Sequence, residues 1–368
     1  MPPVIRVALV GFGSIARTHL SALRALPVTR RLAVEPVVAV VVSERAAAIR
    51  EEVAALGVER VVATLDEALA DPELQLFDVT TRNDQHAAMG AAVLAAGRAL
   101  YIEKPIGRTE EGAVHLAGVA ASAPQVSQPG LVMRYEPMVV EARALVASGA
   151  IGEVRHGRIG THHGSYLDPS RPISWRLRAE TAGGGAMLDL GVHAIDLVRF
   201  IVGAVSVVRA SARTIVSPRP ADGGTEAVDV DDWAWGELGI ASGEGHITVE
   251  ASRVSLGAEG MPFELFGSEG SLVGDLGGGQ LVLRRFDGHE AEYRTRAARD
   301  ALVLAVEELR PPPRLSLGAF VDLHAASLHH CLLRVAGSDP APGLAPSLAD
   351  AAAAEAIAHR IVALGSAS

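Results

Sequence analysis

The first hundred positions hold short, mostly apolar runs, separated by stretches with helical spacing. Val4–Val10 is the first run and stops at a glycine turn, which suits a strand buried on both faces of a parallel sheet. Ile15–Leu26 follows as a helix, expected to stop before Pro27. Val37–Val42, Val58–Ala63, Phe77–Thr81 and Ala99–Ile102 read as further strands. Between them Glu44–Leu56, Leu65–Ala70 and His86–Ala96 read as helices, with Gly57 and Gly97 as stop signals. This β-α-β alternation predicts a doubly wound parallel sheet.

The pattern changes after about residue 128. Gly152–His163 reads as a strand, and the Gly183-Gly184-Gly185 turn opens a helix from Ala186 to Val202. Strands then follow one another without helices: Ser206–Thr214, Asp232–Ile240, Gly245–Ser252, Pro262–Phe266, Ser271–Gly274 and Gln280–Arg285. Such a succession predicts a large, mostly antiparallel sheet. Leu317–Ala336 and Leu348–Leu364 return to helix after the Arg310-Pro311-Pro312-Pro313 loop. The fold class is therefore α/β at the N-terminus, residues 1–128, joined to an α+β region, residues 129–368, whose C-terminal helices pack back.

Composition narrows the function classes. The 368 residues are 49% hydrophobic and 21% charged, a globular balance. A formal net charge of -10 argues against nucleic acid or an anionic membrane as partner. The single cysteine, Cys331, admits no intrachain disulfide and fits a reducing compartment. The N-terminus runs directly into a strand, and the most apolar run, Pro36 to Val42, is too short to span a bilayer. A cytoplasmic enzyme or binding protein is the expectation.

The first turn reads Gly11-Phe12-Gly13-Ser14-Ile15-Ala16. A helix N-terminus offers unpaired N–H groups and a partial positive charge to a pyrophosphate. Gly11 allows the tight turn, Gly13 leaves the backbone open to phosphate, and Ala16 lets the helix approach the sheet. Strand before, helix after and β-α-β context make this a dinucleotide site. The second strand ends in Val42-Ser43-Glu44-Arg45, without the acid at Val42 that would grip the adenosine ribose of NAD. Ser43 and Arg45 suit a 2′-phosphate, so either NAD or NADP is expected, with a lean to NADP.

Two further motifs stand at suitable separations: Glu103-Lys104-Pro105 at the end of the fifth strand, and Gly183-Gly184-Gly185 leading through Asp189 to His193 and Asp196. With the glycine turn, with Gly149-Ala150-Ile151-Gly152-Glu153-Val154 and with Phe266-Gly267-Ser268-Glu269-Gly270-Ser271, the chain resembles the glucose–fructose oxidoreductase / inositol dehydrogenase (Gfo/Idh/MocA) family over nearly its whole length. The resemblance implies an NAD(P)-binding Rossmann domain, a second domain for substrate and oligomer contacts, and a homo-oligomer, dimer or tetramer. It implies oxidation of a sugar or cyclitol hydroxyl, or the reverse reduction. One departure is Arg82 after Thr81, where many members carry proline.

Alcohol oxidation needs a base for the hydroxyl proton. Asp189 and His193, four apart on a helix, share a face, and a histidine titrates near neutral pH. Lys104 supplies positive charge at the C-terminal edge of the sheet, where it would favour a developing alkoxide. The resemblance assigns His193 as acid/base, Asp189 as its partner and substrate ligand, and Lys104 as electrostatic stabiliser. It places Gly11, Phe12, Gly13, Ser14, Ile15, Ser43, Arg45, Thr80, Thr81, Asn83, His86, Glu103 and Lys104 around the cofactor, with Trp175 and Arg176 at the cofactor–substrate boundary. No metal is expected, since His162-His163 lack further ligands. Two other readings stay open: a glycosidase or lyase that uses bound NAD for transient oxidation, and a dinucleotide-binding sensor without catalysis.

Overall fold

The computed structural model describes residues 2–30, 32–276, 279–294 and 301–366. The N-terminal elements are β1 (Val4–Val10), α1 (Ser14–Thr29), β2 (Glu35–Val42), α2 (Ala46–Ala55), β3 (Arg60–Val62), α3 (Leu65–Leu69), β4 (Leu76–Val79), α4 (Asn83–Ala95), β5 (Ala99–Ile102), α5 (Glu110–Ser122) and β6 (Ser127–Pro129). Then come α6 (Pro137–Ala147), β7 (Val154–His162), α7 (Ala179–Ala182), a π-helical turn (Met187–Gly191) and α8 (Val192–Val202). The strands β8 (Val205–Arg213), β9 (Arg219–Ala221), β10 (Gly224–Glu226), β11 (Trp233–Ile240), β12 (His246–Ser252), β13 (Pro262–Gly267), β14 (Gly270–Asp275), β15 (Gln280–Arg285) and β16 (Glu290–Arg294) follow. The chain closes with α9 (Ala301–Leu309), α10 (Ala319–Val335) and α11 (Leu348–Ser366).

Two compact units result. The first comprises residues 1–107, 111–135 and 305–349; the second comprises 108–110, 136–304 and 350–368. The C-terminal stretch is thus divided, α10 belonging with the first unit and nearly all of α11 with the second.

The first unit holds a six-stranded sheet in the order β3-β2-β1-β4-β5-β6, every pair parallel. Its central strands are largely buried on both faces, which is why they read as mostly apolar runs, with Arg6 and Asp78 as the charged exceptions. Helix α1 differs from expectation: it continues through Pro27 to Thr29. Proline removes one backbone donor and ordinarily ends or kinks a helix. Here α1 packs on α10 along a buried face of Ala16, His19, Leu20, Leu23 and Leu26, and the helix resumes with the Arg30 N–H on the Leu26 carbonyl at 3.1 Å.

The second unit is built on an eight-stranded sheet in the order β16-β15-β14-β13-β7-β12-β11-β8. Its pairs are antiparallel except β7 with β12. β11 alternates buried and half-buried positions along its whole length, as a sheet covered on one face requires. Helix α11 seats against that strand at Gly236, where an added Cβ would lie 2.6 Å from the Ile361 side chain. The expected single helix from Ala186 to Val202 is instead two pieces. Its first turn is wound with π geometry and only the rest, from Val192, is α-helical. Among the described residues no helix is long and apolar enough to cross a membrane.

Candidate active site

The glycine turn follows β1 and opens α1. Gly11 has φ +99°, and a Cβ there would lie 2.9 Å from the Thr80 carbonyl oxygen, so both conformation and space require glycine. Gly13 is different. It has extended dihedrals open to any residue, and a Cβ there would meet nothing within 4 Å. The space in front of it is therefore unfilled by protein. Gly13 is the N-cap of α1, and no side chain caps that terminus. Exposed Gly13 and Ser14 thus present free helix N–H groups, which suits the pyrophosphate of a dinucleotide. Phe12 is buried under the Arg17 guanidinium, 4.4 Å from the ring centre, so it supports the turn from beneath. Ile15 is half-buried and Ala16 fully buried.

Around this turn the remaining candidates divide. Arg45 is exposed just after β2, and its N–H donates to the Ser43 hydroxyl at 3.2 Å. Thr81 and Asn83 are half-buried at the start of α4. Arg82, the departure from the family pattern, occupies the N-cap position of α4 without a side-chain cap bond and pairs with Asp84 at 3.0 Å. Thr80 and His86 are buried and turned to the protein: Thr80 donates to the Val10 carbonyl at 2.9 Å, and His86 sits between the carbonyls of Pro105 (2.6 Å) and Thr81 (3.1 Å). Burial pushes the His86 pKa down. Both side chains hold the loop that carries their neighbours.

Glu103 and Lys104 stand side by side at the end of β5 but in unlike settings. Lys104 is half-buried, whereas the Glu103 carboxylate is turned inward. It occupies space left by Gly130, whose missing Cβ would strike it. His19 lies between two carboxylates, its Nδ1 2.9 Å from Asp78 Oδ2 and its Nε2 3.3 Å from Glu103 Oε1. His324 of α10 completes the cluster, with Nε2 3.9 Å from the same Glu103 oxygen. Burial alone would lower the His19 pKa, but Asp78 and Glu103 outweigh it and hold the ring protonated, with a pKa of about 10. Burial would raise Glu103, but His19 outweighs it and brings the carboxyl to about 2. His324 is lowered to about 4 by burial and by the His19 charge. His19, Glu103 and His324 offer ligand atoms within 4.8 Å of one another, the spacing of a cation site. A proton on His19 already balances one of its two carboxylates, so we describe the group as an ion network. Sequence reasoning missed it because its members lie up to 305 positions apart and share no motif.

In the second unit, the triple glycine is explained by two contacts. Gly183 has φ +79° and closes α7 against the Arg108 carbonyl. Gly185 passes so close to the Asp231 backbone that no Cβ fits. Buried Asp231 then caps the π turn, accepting from the N–H of Gly185 at 2.9 Å and of Met187 at 2.8 Å. Burial raises its carboxyl pKa against those bonds. On this turn sits Asp189, with its side chain 26% exposed, while His193 stands half-buried on the first turn of α8. The Asp189 carboxylate accepts from Arg253 Nη2 at 2.8 Å. Arg176 lays its guanidinium over the Trp175 ring at 4.3 Å, both half-buried. Arg253 and Asp231 hold the turn that carries Asp189, and sequence reasoning did not single them out. The acid run Asp229–Asp232 and an arginine closing the alternating strand β12 were the available signals.

Residues 5–131 match the oxidoreductase family, NAD-binding Rossmann fold, and residues 139–273 match the GFO/IDH/MocA C-terminal domain. A levoglucosan dehydrogenase of Pseudarthrobacter phenanthrenivorans is 32% identical over 293 residues, 73% of each chain. An inositol 2-dehydrogenase of Rhizobium meliloti is 27% identical, covering 74% of this chain and 76% of that one. A solved levoglucosan dehydrogenase in complex with NADH and L-sorbose superposes with a TM-score of 0.87 at 28% identity, over 99% of this chain and 97% of that chain. An oxidoreductase domain protein from Kribbella flavida gives 0.88 at 28% identity, over 100% and 98%. The glycine turn on β1, the parallel six-stranded sheet, the open mixed sheet and these matches together make the chain a member of the Gfo/Idh/MocA oxidoreductase family, an NAD(P)-dependent dehydrogenase with an N-terminal NAD-binding Rossmann fold.

Proposed function

We propose that the protein transfers a hydride between a nicotinamide dinucleotide and a secondary alcohol or ketone of a sugar, sugar derivative or cyclitol. The observation that carries this is that one chain holds both a phosphate-ready glycine turn in its first unit and, within its second, a partly exposed Asp189 and His193 on one helical run. The first unit, in this reading, binds the dinucleotide and the second binds substrate. The bound nicotinamide accepts or donates the hydride. The Gly13 and Ser14 backbone holds the pyrophosphate, while Thr81, Asn83, Trp175 and Arg176 line the rest of the site. His193 takes the hydroxyl proton in oxidation and returns it in reduction. Lys104 places a positive charge beside the reacting oxygen and favours its alkoxide character. Asp189 accepts a hydrogen bond from substrate. Glu103, its carboxylate buried against His19, acts by fixing the strand end that carries Lys104.

The substrate class rests on the relatives, whose names include levoglucosan and inositol dehydrogenases. For the cofactor, exposed Arg45 beside Ser43, with no acid at Val42, favours acceptance of a 2′-phosphate and hence NADP alongside NAD. The open face of the large sheet, carrying His156, Arg158, Glu250 and Glu264, is the surface we assign to a second copy in a dimer or tetramer. The test is a panel of sugars, anhydrosugars and cyclitols with NAD and NADP in parallel, read at the reduced-nicotinamide absorbance. Substrate-dependent reduction supports the reading. Turnover of a glycoside with no net reduced nicotinamide would replace it with transient oxidation, and binding without turnover would leave a sensor.

A further inference from the structure

Among the described residues of the second unit two arginines are buried, and they are bonded differently. Arg219 directs its two terminal nitrogens to backbone carbonyls, those of Asp168 and Tyr166, and so straps the loop after β7. Arg253 is equally buried, 1% exposed, but directs its shortest side-chain bond to a carboxylate, Asp189, at 2.8 Å. Its other terminal nitrogen reaches the Arg176 carbonyl only at 3.4 Å, and its Nε has no hydrogen-bond partner. Nε lacks a partner in both arginines; what separates them is that Arg219 spends its terminal nitrogens on backbone carbonyls, whereas Arg253 spends its shortest bond on the partly exposed Asp189 carboxylate. Arg253 is also held rigidly. Its N–H donates to the Asp232 carbonyl at 2.9 Å, its carbonyl accepts from Tyr166 at 3.0 Å, and its guanidinium faces the Tyr166 ring at 5.0 Å.

We propose that Arg253 is a positioning residue for the reaction, fixing the carboxylate of Asp189 on the π turn as an ionised hydrogen-bond acceptor for a substrate hydroxyl. This rests on the proposed function above. Asp189 is held from two directions: Asp231 anchors the backbone of its turn, and Arg253 grips its side chain. A guanidinium keeps its charge at any working pH and presents its donors in a fixed fork, so the carboxylate beside it stays charged and aimed. A charged carboxylate only accepts hydrogen bonds, which selects substrates with a hydroxyl donor at that place.

The test is a double-mutant cycle of Arg253→Gln and Asp189→Asn on the full-length protein with cofactor, using the best substrate of the panel. Arg253→Gln is expected to lower kcat/KM by roughly 30-fold, with Arg253→Lys recovering part of the loss. In the Asp189→Asn background the same change is expected to cost no more than about 3-fold, because the group it acts through is already gone. Cofactor affinity and melting temperature report folding; if Arg253→Gln fails to fold, Arg253→Lys carries the same cycle. A fully additive loss, or an unchanged kcat/KM in a folded Arg253 variant, overturns the role of Arg253. Full turnover in Asp189→Asn instead overturns the catalytic reading of Asp189, and this inference with it.

Discussion

The two units carry their candidate groups on different material. In the first, the glycine turn offers backbone: N–H groups at a helix end, with Gly13 leaving open space before them. Six consecutive residues make that feature. In the second, Asp189 and His193 offer side chains, and they depend on groups far off in the sequence. Asp231 lies 42 positions from Asp189 and Arg253 lies 64 positions from it. A phosphate of fixed charge and shape is served by a local motif. An acid/base and an ionised acceptor need buried partners to set their orientation and charge. The first kind of site tolerates change outside the motif; the second is sensitive to residues that touch no substrate.

The largest effect separates chemistry from binding. Lys104→Ala and His193→Ala are each expected to lower turnover by about 1,000-fold, with cofactor affinity within about 3-fold of the parent. Steady-state kinetics with fluorescence titration of reduced nicotinamide checks both, and unchanged turnover in both refutes the assignment.

Asp231→Ala tests the dependence of the second unit on distant partners. It leaves the N–H groups of Gly185 and Met187 without their acceptor, for a loss of about 3 kcal/mol of stability. Urea unfolding measures it, and activity is expected to fall while the glycine turn still binds cofactor. A variant of normal stability would show that the π turn stands without its cap.

Gly13→Val tests the first unit. The structure has room for the side chain, so the melting temperature should hold, while dinucleotide affinity falls by about 100-fold. Gly11→Ala is the contrast: its φ of +99° and the Thr80 carbonyl make it lose stability as well. Equal loss of stability in both variants would contradict the open space before Gly13.

The ion network gives a pH signature. The folded pKa of His19, about 10, lies above its unfolded value, so its contribution is full below about pH 6.5 and is lost as pH rises towards 10. Glu103, about 2 when folded, contributes above about pH 4.5 and is lost as pH falls towards 2. His324, about 4 when folded, also loses stability on the acid side, as pH falls from about 6.5. His19→Gln should flatten the alkaline limb of a stability–pH curve, which otherwise falls by up to about 1.4 kcal/mol per pH unit. An alkaline limb unchanged in that variant would place the proton elsewhere. The smallest effect is at the ribose end, where Arg45→Ala should lower the preference for NADP over NAD by about 5-fold, read from the ratio of kcat/KM values. A preference that does not move leaves Arg45 without a part in the choice.

The sequence determined what is local. β1 and the strands after it declared themselves by apolar runs because both faces of that sheet are buried. The glycine turn was legible because six adjacent residues make it. The succession of strands without intervening helices announced the large, mostly antiparallel sheet. Tertiary structure alone decided the rest. Helix α1 passes through Pro27 because its packing on α10 outweighs a lost backbone bond. The Glu103 carboxylate turns inward because His19, held protonated with the help of Asp78, waits there, and Gly130 leaves it room. The helix of Asp189 and His193 begins as a π turn capped by Asp231 and braced by Arg253. A buried charge is stabilised only by partners that folding brings to within a few ångströms, and no spacing along the chain records which those partners are.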